Sequence, residues 1–383
     1  MKITFIGTLP PIKALSPYCF HLAQALSKKI DLEFINFSDI LPDALYLGGM
    51  KEKETYSLKD IETKTSLSLR NPLSWIKTGL TIDGDVVHLQ HWAWYSSIVY
   101  CVLLPIVKIR NKKCVVSIHN ITPHTSDLPT VLLDKFLNWI IFLFADFFIV
   151  HNNRNKKRLL ELYRINENKI FITPHGSIMP YQKLKNISKE NARKNLNIPM
   201  DKKVILFFGY MWGYKGLDVL LKSLKIIKDE LKDVTLLIAG QPLKDWKKYE
   251  EIIKENELEN YVIKVLKYIP DSETEYYFSS ADIVVLPYHD HPFDTHGGVG
   301  ALALSFKKPI IVTDVGGLPE YVKDKRAIST PDNPHELAQK IIFALDDESL
   351  LKKLSEDSEE LSKELSWDKI ADTTIDVYNK AIN

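Results

Sequence analysis

The sequence predicts an α/β protein built from two doubly wound parallel-sheet domains, and three observations lead there. The chain has 383 residues, more than one core holds comfortably, so two domains of about 190 residues are the natural division. Apolar, β-branched runs recur through both halves, many without a polar break, as in strands buried on both faces. Helical patterns separate these runs, and regular strand–helix alternation means parallel sheets.

In the first half the runs are Ile3–Ile6, Asp31–Phe37, Val86–Leu89, Cys114–Ile118, Phe147–Val150 and Ile170–Ile172. Helical patterns lie between them at Tyr18–Lys28, Leu132–Phe144 and Lys156–Tyr163. The second half repeats the scheme with Val204–Phe208, Thr235–Ala239, Val262–Val265, Ile283–Leu286 and Pro309–Val312. Its helical patterns are Gly216–Glu230, Lys248–Glu255 and His335–Leu345, and a charge-rich helical tail covers Ser349–Asn383. The polar stretch Ser177–Asp201 reads as the linker, which puts domains at 1–185 and 186–362 and a terminal segment at 363–383.

The net charge of +1 hides an asymmetry. Residues 1–190 carry 24 Lys+Arg against 16 Asp+Glu, and residues 191–383 carry 26 against 33. Two surfaces with different partners, or two halves that attract each other, would both give this split. No nucleic-acid motif accompanies the basic residues, so nucleic acid is not the expected partner. Cys19, Cys101 and Cys114 are odd in number, sit in apolar contexts and lack metal-ligand spacing. They read as reduced thiols of a cytoplasmic protein. The opening MKITFIGTLPP is too short an apolar run for a signal peptide, and no stretch reaches 18 apolar residues without a break.

Several familiar chemistries are excluded. The first loop, Gly7-Thr8-Leu9-Pro10-Pro11, is not the G-x-G-x-x-G of a dinucleotide site, and no G-x-x-x-x-G-K-[ST] phosphate loop exists. The segment 283–321 is more informative: a strand, a loop closing on Thr295-His296-Gly297-Gly298, a small-residue helix, a strand, and Asp314 with Gly316-Gly317. A helix whose first turn is glycine offers bare N–H groups and a favourable dipole to an anion. Lys215, in Gly209–Gly216 between a strand and a helix, is a cation at a helix amino terminus, electrostatically misplaced unless an anion joins it. His119 closes a strand and can hydrogen-bond a ligand there, or serve as a structural histidine. His91 and Trp92, with Trp94 and Tyr95, suit stacking on sugar faces, contact with lipid, or core packing. The apolar segments Ser96–Val107 and Asn138–Val150 each lead into basic clusters. They fit either a protein resting on an anionic membrane or a buried helix and strand beside solvated loops.

Together these segments resemble the retaining glycosyltransferases of family 4, which have the GT-B architecture. The resemblance runs through SPYCFHLAQAL (16–26), VVSIHNITPH (115–124), FITPHG (171–176), FFGYMWGYKGLDVLL (207–221), LLIAG (236–240), ADIVVLPY (281–288), KKPIIVTDVGGLPEYV (307–322) and LSWDKIADTTIDVY (365–378). It implies two Rossmann-like domains facing across a cleft, an acceptor-binding first domain, a nucleotide-sugar-binding second domain and a tail helix that crosses back to the first. It implies that Lys215 neutralises the donor diphosphate and that His119 contacts the transferred sugar. Gly209, Gly297, Gly298 and Val299, with His296, would hold phosphate or sugar, and Tyr268 and Ile269 the base. Ser16, Tyr18, His91, Trp92 and His124 fall on the acceptor side.

The chain departs from the family pattern in places. The two glutamates usual before the small-residue helix are here Asp294 and Leu302, and the diphosphate arginine falls at Tyr210. Asp294 can still bond sugar hydroxyls. What the resemblance implies is metal-independent, cofactor-free hexose transfer with retention, from a nucleoside-diphosphate sugar to a glycan or lipid-linked acceptor. The setting would be surface polysaccharide or glycolipid synthesis in the cytoplasm or at the inner face of the plasma membrane. A non-catalytic sugar-nucleotide-binding subunit and a GT-B-fold epimerase are the alternatives.

Overall fold

The computed structural model describes residues 1–383 except 11, 13, 14, 40–57, 59, 123–126, 178–183, 244, 245 and 291–297. His124, Asp294, His296 and Gly297 therefore lie outside the described residues. The chain forms two compact units, residues 1–176 with 365–383, and residues 177–364.

The first unit holds a seven-stranded parallel sheet: β1 (Lys2–Gly7), β2 (Asp31–Asp39), β3 (Glu62–Ser68), β4 (Val86–His91), β5 (Lys113–Ile118), β6 (Phe147–Val150) and β7 (Ile170–Ile172). The order is β3-β2-β1-β4-β5-β6-β7. The chain moves outward from β1 through β2 to β3, then returns to β4 on the other side of β1. The carboxyl ends of β1 and β4 thus mark the switch point where such sheets open a crevice. Five helices connect the strands: α1 (Ser16–Ser27), α2 (Pro72–Thr81), α3 (Trp94–Ile109), α4 (Leu128–Phe144) and α5 (Asn153–Leu162).

Most of the predicted strands appear, because uninterrupted Val/Ile/Phe runs bury both faces. β3 escaped prediction because its sequence, ETKTSLS, is that of an exposed edge strand whose one fully buried side chain is Leu67. The apolar segment Ser96–Val107 resolves as a core helix: Val99, Tyr100, Leu103, Leu104 and Val107 of α3 are all buried. α4 behaves differently. Asp127 caps it by accepting from the Thr130 N–H at 3.2 Å, and only Asp134, Leu137, Asn138 and Ile141 of the helix are buried.

The second unit repeats the design with a six-stranded parallel sheet. Its strands are β8 (Lys203–Phe208), β9 (Val234–Ala239), β10 (Val262–Val265), β11 (Ile283–Leu286), β12 (Ile310–Thr313) and β13 (Ile328–Ser329), in the order β10-β9-β8-β11-β12-β13. Its helices are α6 (Lys189–Asn195), α7 (Leu217–Glu230), α8 (Lys247–Glu255), α9 (Asp271–Ser280), α10 (Gly298–Ser305), α11 (Pro334–Asp346) and α12 (Glu348–Glu364). The switch point falls between β8 and β11, whose following loops contain Gly209–Lys215 and Pro287–Asp290.

The tail divides at Ser366, where the last helix, α13 (Trp367–Ile382), begins. It belongs to the first unit. The Trp367 ring stands 5.3 Å from Tyr18, and the Tyr378 hydroxyl lies 2.6 Å from His88 Nδ1 under the sheet. Lys29 on α1 donates to the Asp368 carbonyl at 3.1 Å.

Arg193 ties the entry of the second unit to its sheet. It is 1% exposed, and its guanidinium donates to the Ser280, Met200 and Lys202 carbonyls and to Asp282 at 2.8 Å. Asp282 also accepts from the Val204 N–H at 2.7 Å. Truncating a buried, fully bonded cation strands its partners. Arg193→Ala is expected to lower stability in urea unfolding by roughly 3 kcal/mol; a loss below about 1 kcal/mol would show that these bonds are replaced by water.

Candidate active site

At the carboxyl edge of the second sheet, β8 ends in Gly209 with φ +93°, a value that L side chains adopt at a cost. A Cβ at this position would stand 3.2 Å from Lys215 Nζ and 3.4 Å from Val299 Cγ2. The glycine loop, the lysine and the first turn of α10 therefore converge on one point. Gly298 opens that helix and is exposed, so its backbone faces solvent at the amino terminus. Among the sequence candidates, Gly209, Lys215, Gly298 and Val299 come together here. Tyr268 and Ile269 follow the edge strand β10, two strands from β8, with Tyr268 partly exposed and Ile269 buried. The Tyr268 ring lies 6.2 Å from that of Tyr210, so two aromatic rings flank the same edge.

Lys215 is the unusual group. It is 8% exposed, and burial pushes its ammonium down to about 8. No carboxylate among the described residues pairs with it. A buried cation without a counter-charge costs several kcal/mol of desolvation, so the fold maintains an unfavourable state at this point.

The neighbourhood is built to hold the lysine still. Gly216 takes φ +67°, and a Cβ there would meet the Pro287 carbonyl oxygen at 1.9 Å, so only glycine lets the loop after β11 press on this turn. From that loop the His289 N–H donates to the Tyr214 carbonyl at 2.9 Å. The His289 imidazole bonds Asp218, on the first turn of α7, at 2.9 Å, and reaches Asp332 on its other nitrogen. Asp218 also accepts from Lys248 at 3.0 Å. The Asp218 hydrogen bond is the main reason that the His289 imidazolium is raised to about 9. Sequence reading missed this clamp; Asp218 in the first turn of a helix and His289 just past a strand end were its only signals.

In the first unit His119, a candidate sugar contact, has both ring nitrogens within hydrogen-bond distance of protein groups. The residue is buried, with Nε2 2.9 Å from Gln90 Oε1 and Nδ1 3.0 Å from His151 Nε2. His151 Nδ1 lies 2.9 Å from the Thr173 carbonyl, which requires a proton on that nitrogen. Burial pushes His151 down to about 3, which favours its neutral ring. A sugar hydroxyl would have to displace Gln90 or His151 to bond a His119 ring nitrogen. Gln90 and His151, like His119, sit at or just past strand carboxyl ends, the one signal that could have found them.

The acceptor-side candidates are also buried. Ser16, Tyr18, His91 and Trp92 are at most 6% exposed. Ser16 bonds the Thr8 hydroxyl at 3.3 Å, His91 Nε2 bonds Ser97 at 2.7 Å, and Trp92 Nε1 donates to the Tyr95 hydroxyl at 3.0 Å. Tyr18 packs on His119 with ring centroids 4.6 Å apart. The reading of His91 and Trp92 as packing groups fits this burial, and the picture of an open aromatic platform does not.

Residues 188–361 match the family of Glycosyl transferases group 1. The second unit therefore carries a domain similar to the group 1 glycosyltransferases. It is 25% identical over 314 residues to a D-inositol 3-phosphate glycosyltransferase of Corynebacterium glutamicum, covering 79% of this chain and 73% of that protein. An uncharacterized glycosyltransferase of Methanocaldococcus jannaschii is 31% identical over 177 residues, 46% of this chain and 47% of that one. Among solved structures, Anabaena HepE in complex with UDP superposes with a TM-score of 0.75 at 16% identity, over 99% of this chain and 100% of HepE. A glycosyltransferase from Rickettsia africae gives 0.73 at 20% identity, over 100% and 99% of the two chains. These likenesses, with two all-parallel α/β units, make the fold GT-B.

The His289 clamp gives a pH test. The folded imidazole titrates near 9 against an ordinary value of 6.5. A raised pKa contributes stability that is fully present below pH about 6.5 and lost as pH climbs through about 9. His289→Gln should therefore be less stable than wild type at pH 6 by about 1 kcal/mol, a figure discounted for a half-exposed ring. That difference should vanish by pH 9.5. A gap that stays constant across this range would show that the ion pair contributes nothing.

Proposed function

We propose that this glycosyltransferase binds the diphosphate of a nucleoside-diphosphate sugar between Lys215, the Gly209 loop and the amino terminus of α10. The observation that carries the reading is the buried Lys215, without a carboxylate partner among the described residues, because a dianionic leaving group supplies the charge that they lack. Phosphate oxygens can accept from the ammonium and from the bare N–H groups at Gly298 and Val299. Breaking the bond between sugar and phosphate leaves about two negative charges on the nucleoside diphosphate, and their stabilisation is the largest task in the reaction.

In this reading the base lies beside Tyr268 and Ile269, with the Tyr210 ring next to it where the family pattern has an arginine. Loss of that arginine leaves Lys215 and backbone amides to carry the charge. By the family pattern Asp294, His296 and Gly297 are assigned to the donor sugar and His124 to the acceptor. By the same pattern His119 contacts the transferred sugar, through a ring held by Gln90 and His151. The family resemblance implies transfer of a hexose with retention; with no carboxylate nucleophile beside Lys215 among the described residues, attack comes from the leaving-group face and the departing phosphate takes the acceptor proton. No metal and no cofactor beyond the donor belong to the reading. The acceptor is a glycan or a lipid-linked sugar of surface polysaccharide or glycolipid synthesis. Three free thiols, Cys19, Cys101 and Cys114, suit a reducing cytoplasm.

Two measurements test this. In a thermal-shift screen against UDP-, GDP-, dTDP- and ADP-sugars, one class should raise the melting temperature, since a ligand bound only by the native state stabilises it. With that donor, Lys215→Ala should lower the transfer rate by about 10³-fold while the unliganded protein melts no lower than wild type. Undiminished transfer by this variant would refute the assignment.

A further inference from the structure

We propose that the outer face formed by α2 and α4 of the first unit rests on an anionic lipid bilayer. Surface helices normally turn charged residues to water, and these two do the reverse. On α4, Leu128, Leu132, Phe136, Trp139 and Leu143 are spaced by three or four residues, so they form one stripe, and each is 55–66% exposed. Leu133 widens it. On α2, Leu73, Ile76 and Leu80 repeat the pattern at the same helical spacing, and all three are exposed. Both helices pack against α3 and so lie in one layer of the unit. Contiguous exposed apolar area of this kind marks an interaction surface.

The charges on this layer select the partner. The sequences of α2, α3 and α4 contain one carboxylate, Asp134, which is buried and accepts from Asn138 Nδ2 at 3.0 Å. Lys77 and Lys135 are exposed among the apolar residues, and neither pairs with a carboxylate among the described residues. A second copy docked on the same face across a two-fold axis would set these lysines against one another with no exposed acid on the helices to answer them. A bilayer with anionic headgroups meets both features: acyl chains take the leucines and Phe136, and headgroups take Lys77 and Lys135. Trp139, stacked with Phe136 at 6.3 Å, is a residue type favoured at the interface between headgroup and hydrocarbon. The helices lie on the membrane and do not cross it, because Leu137 and Ile141 bind the other side of α4 to the core.

The proposal goes beyond the donor reading and does not depend on it, since its test measures no transfer. The full chain would be floated with vesicles of phosphatidylcholine alone and of phosphatidylcholine with about one third phosphatidylglycerol. The wild type should float with the anionic vesicles, less so as salt rises. The double variant Phe136→Ser, Trp139→Ser should bind them at least tenfold more weakly by this reading. Lys77→Glu with Lys135→Glu should lose the preference for anionic lipid. Thermal melting of the variants, all at exposed positions, checks that they fold. Wild type that ignores both vesicle types, or a serine double variant that floats as well as wild type, would overturn the proposal. So would a wild-type dimer that the serine substitutions split into monomers without any vesicle binding, which would assign the face to a second copy.

Discussion

The structure of the second unit is organised around one electrostatic constraint: the Lys215 ammonium is kept out of water with no carboxylate to pair with it among the described residues. Burial alone would push such a group out to solvent or strip its proton. The chain prevents the first by immobilising the turn around it. Gly209 and Gly216 adopt backbone conformations that admit close approach, the β11 loop presses on the turn through Pro287, and His289 fastens that loop to Tyr214 and Asp218. The desolvation of this cation is compensated by the packed sheet below it. In the donor reading proposed above, a nucleoside diphosphate leaving group would bring the missing charge.

Much of this was legible in the sequence. The parallel sheets follow from uninterrupted apolar runs, and Lys215 stood out because a lysine between a strand-end glycine and a helix start has no structural reason to be there. Other features were not legible because their signal lies in three dimensions. β3 has a polar sequence, since an edge strand need bury only one side chain. The α3 segment reads equally well as a surface or a core helix, and its neighbours in the sheet decide in favour of the core. His119 looked available from its strand-end position; the partners that occupy it, Gln90 and His151, come from other strand ends.

The first unit uses its polar groups for a different purpose. His88, Gln90, Ser117, His119, His151 and the Tyr378 hydroxyl form a buried network beneath the carboxyl edge, linking the last helix to the centre of the sheet. Buried polar groups that are fully bonded fix one arrangement of a core. That network therefore sets the orientation of His119 and seats α13. On the outer layer of the same unit the usual distribution is inverted, with leucines and aromatics exposed along α2 and α4.

The central claim, that Lys215 is a desolvated cation completed by a diphosphate, can be measured through protons. Binding of UDP, or of the nucleoside diphosphate that the protein prefers, would be followed by calorimetry at pH 8.5 in buffers of different ionisation enthalpy. At that pH the phosphate itself is fully ionised, whereas Lys215, titrating near 8, is largely neutral in the free protein. An adjoining dianion raises the lysine pKa, so binding should take up most of one proton. In Lys215→Met the uptake should disappear. Binding by the wild type without proton uptake, or equal uptake by Lys215→Met, would contradict the account.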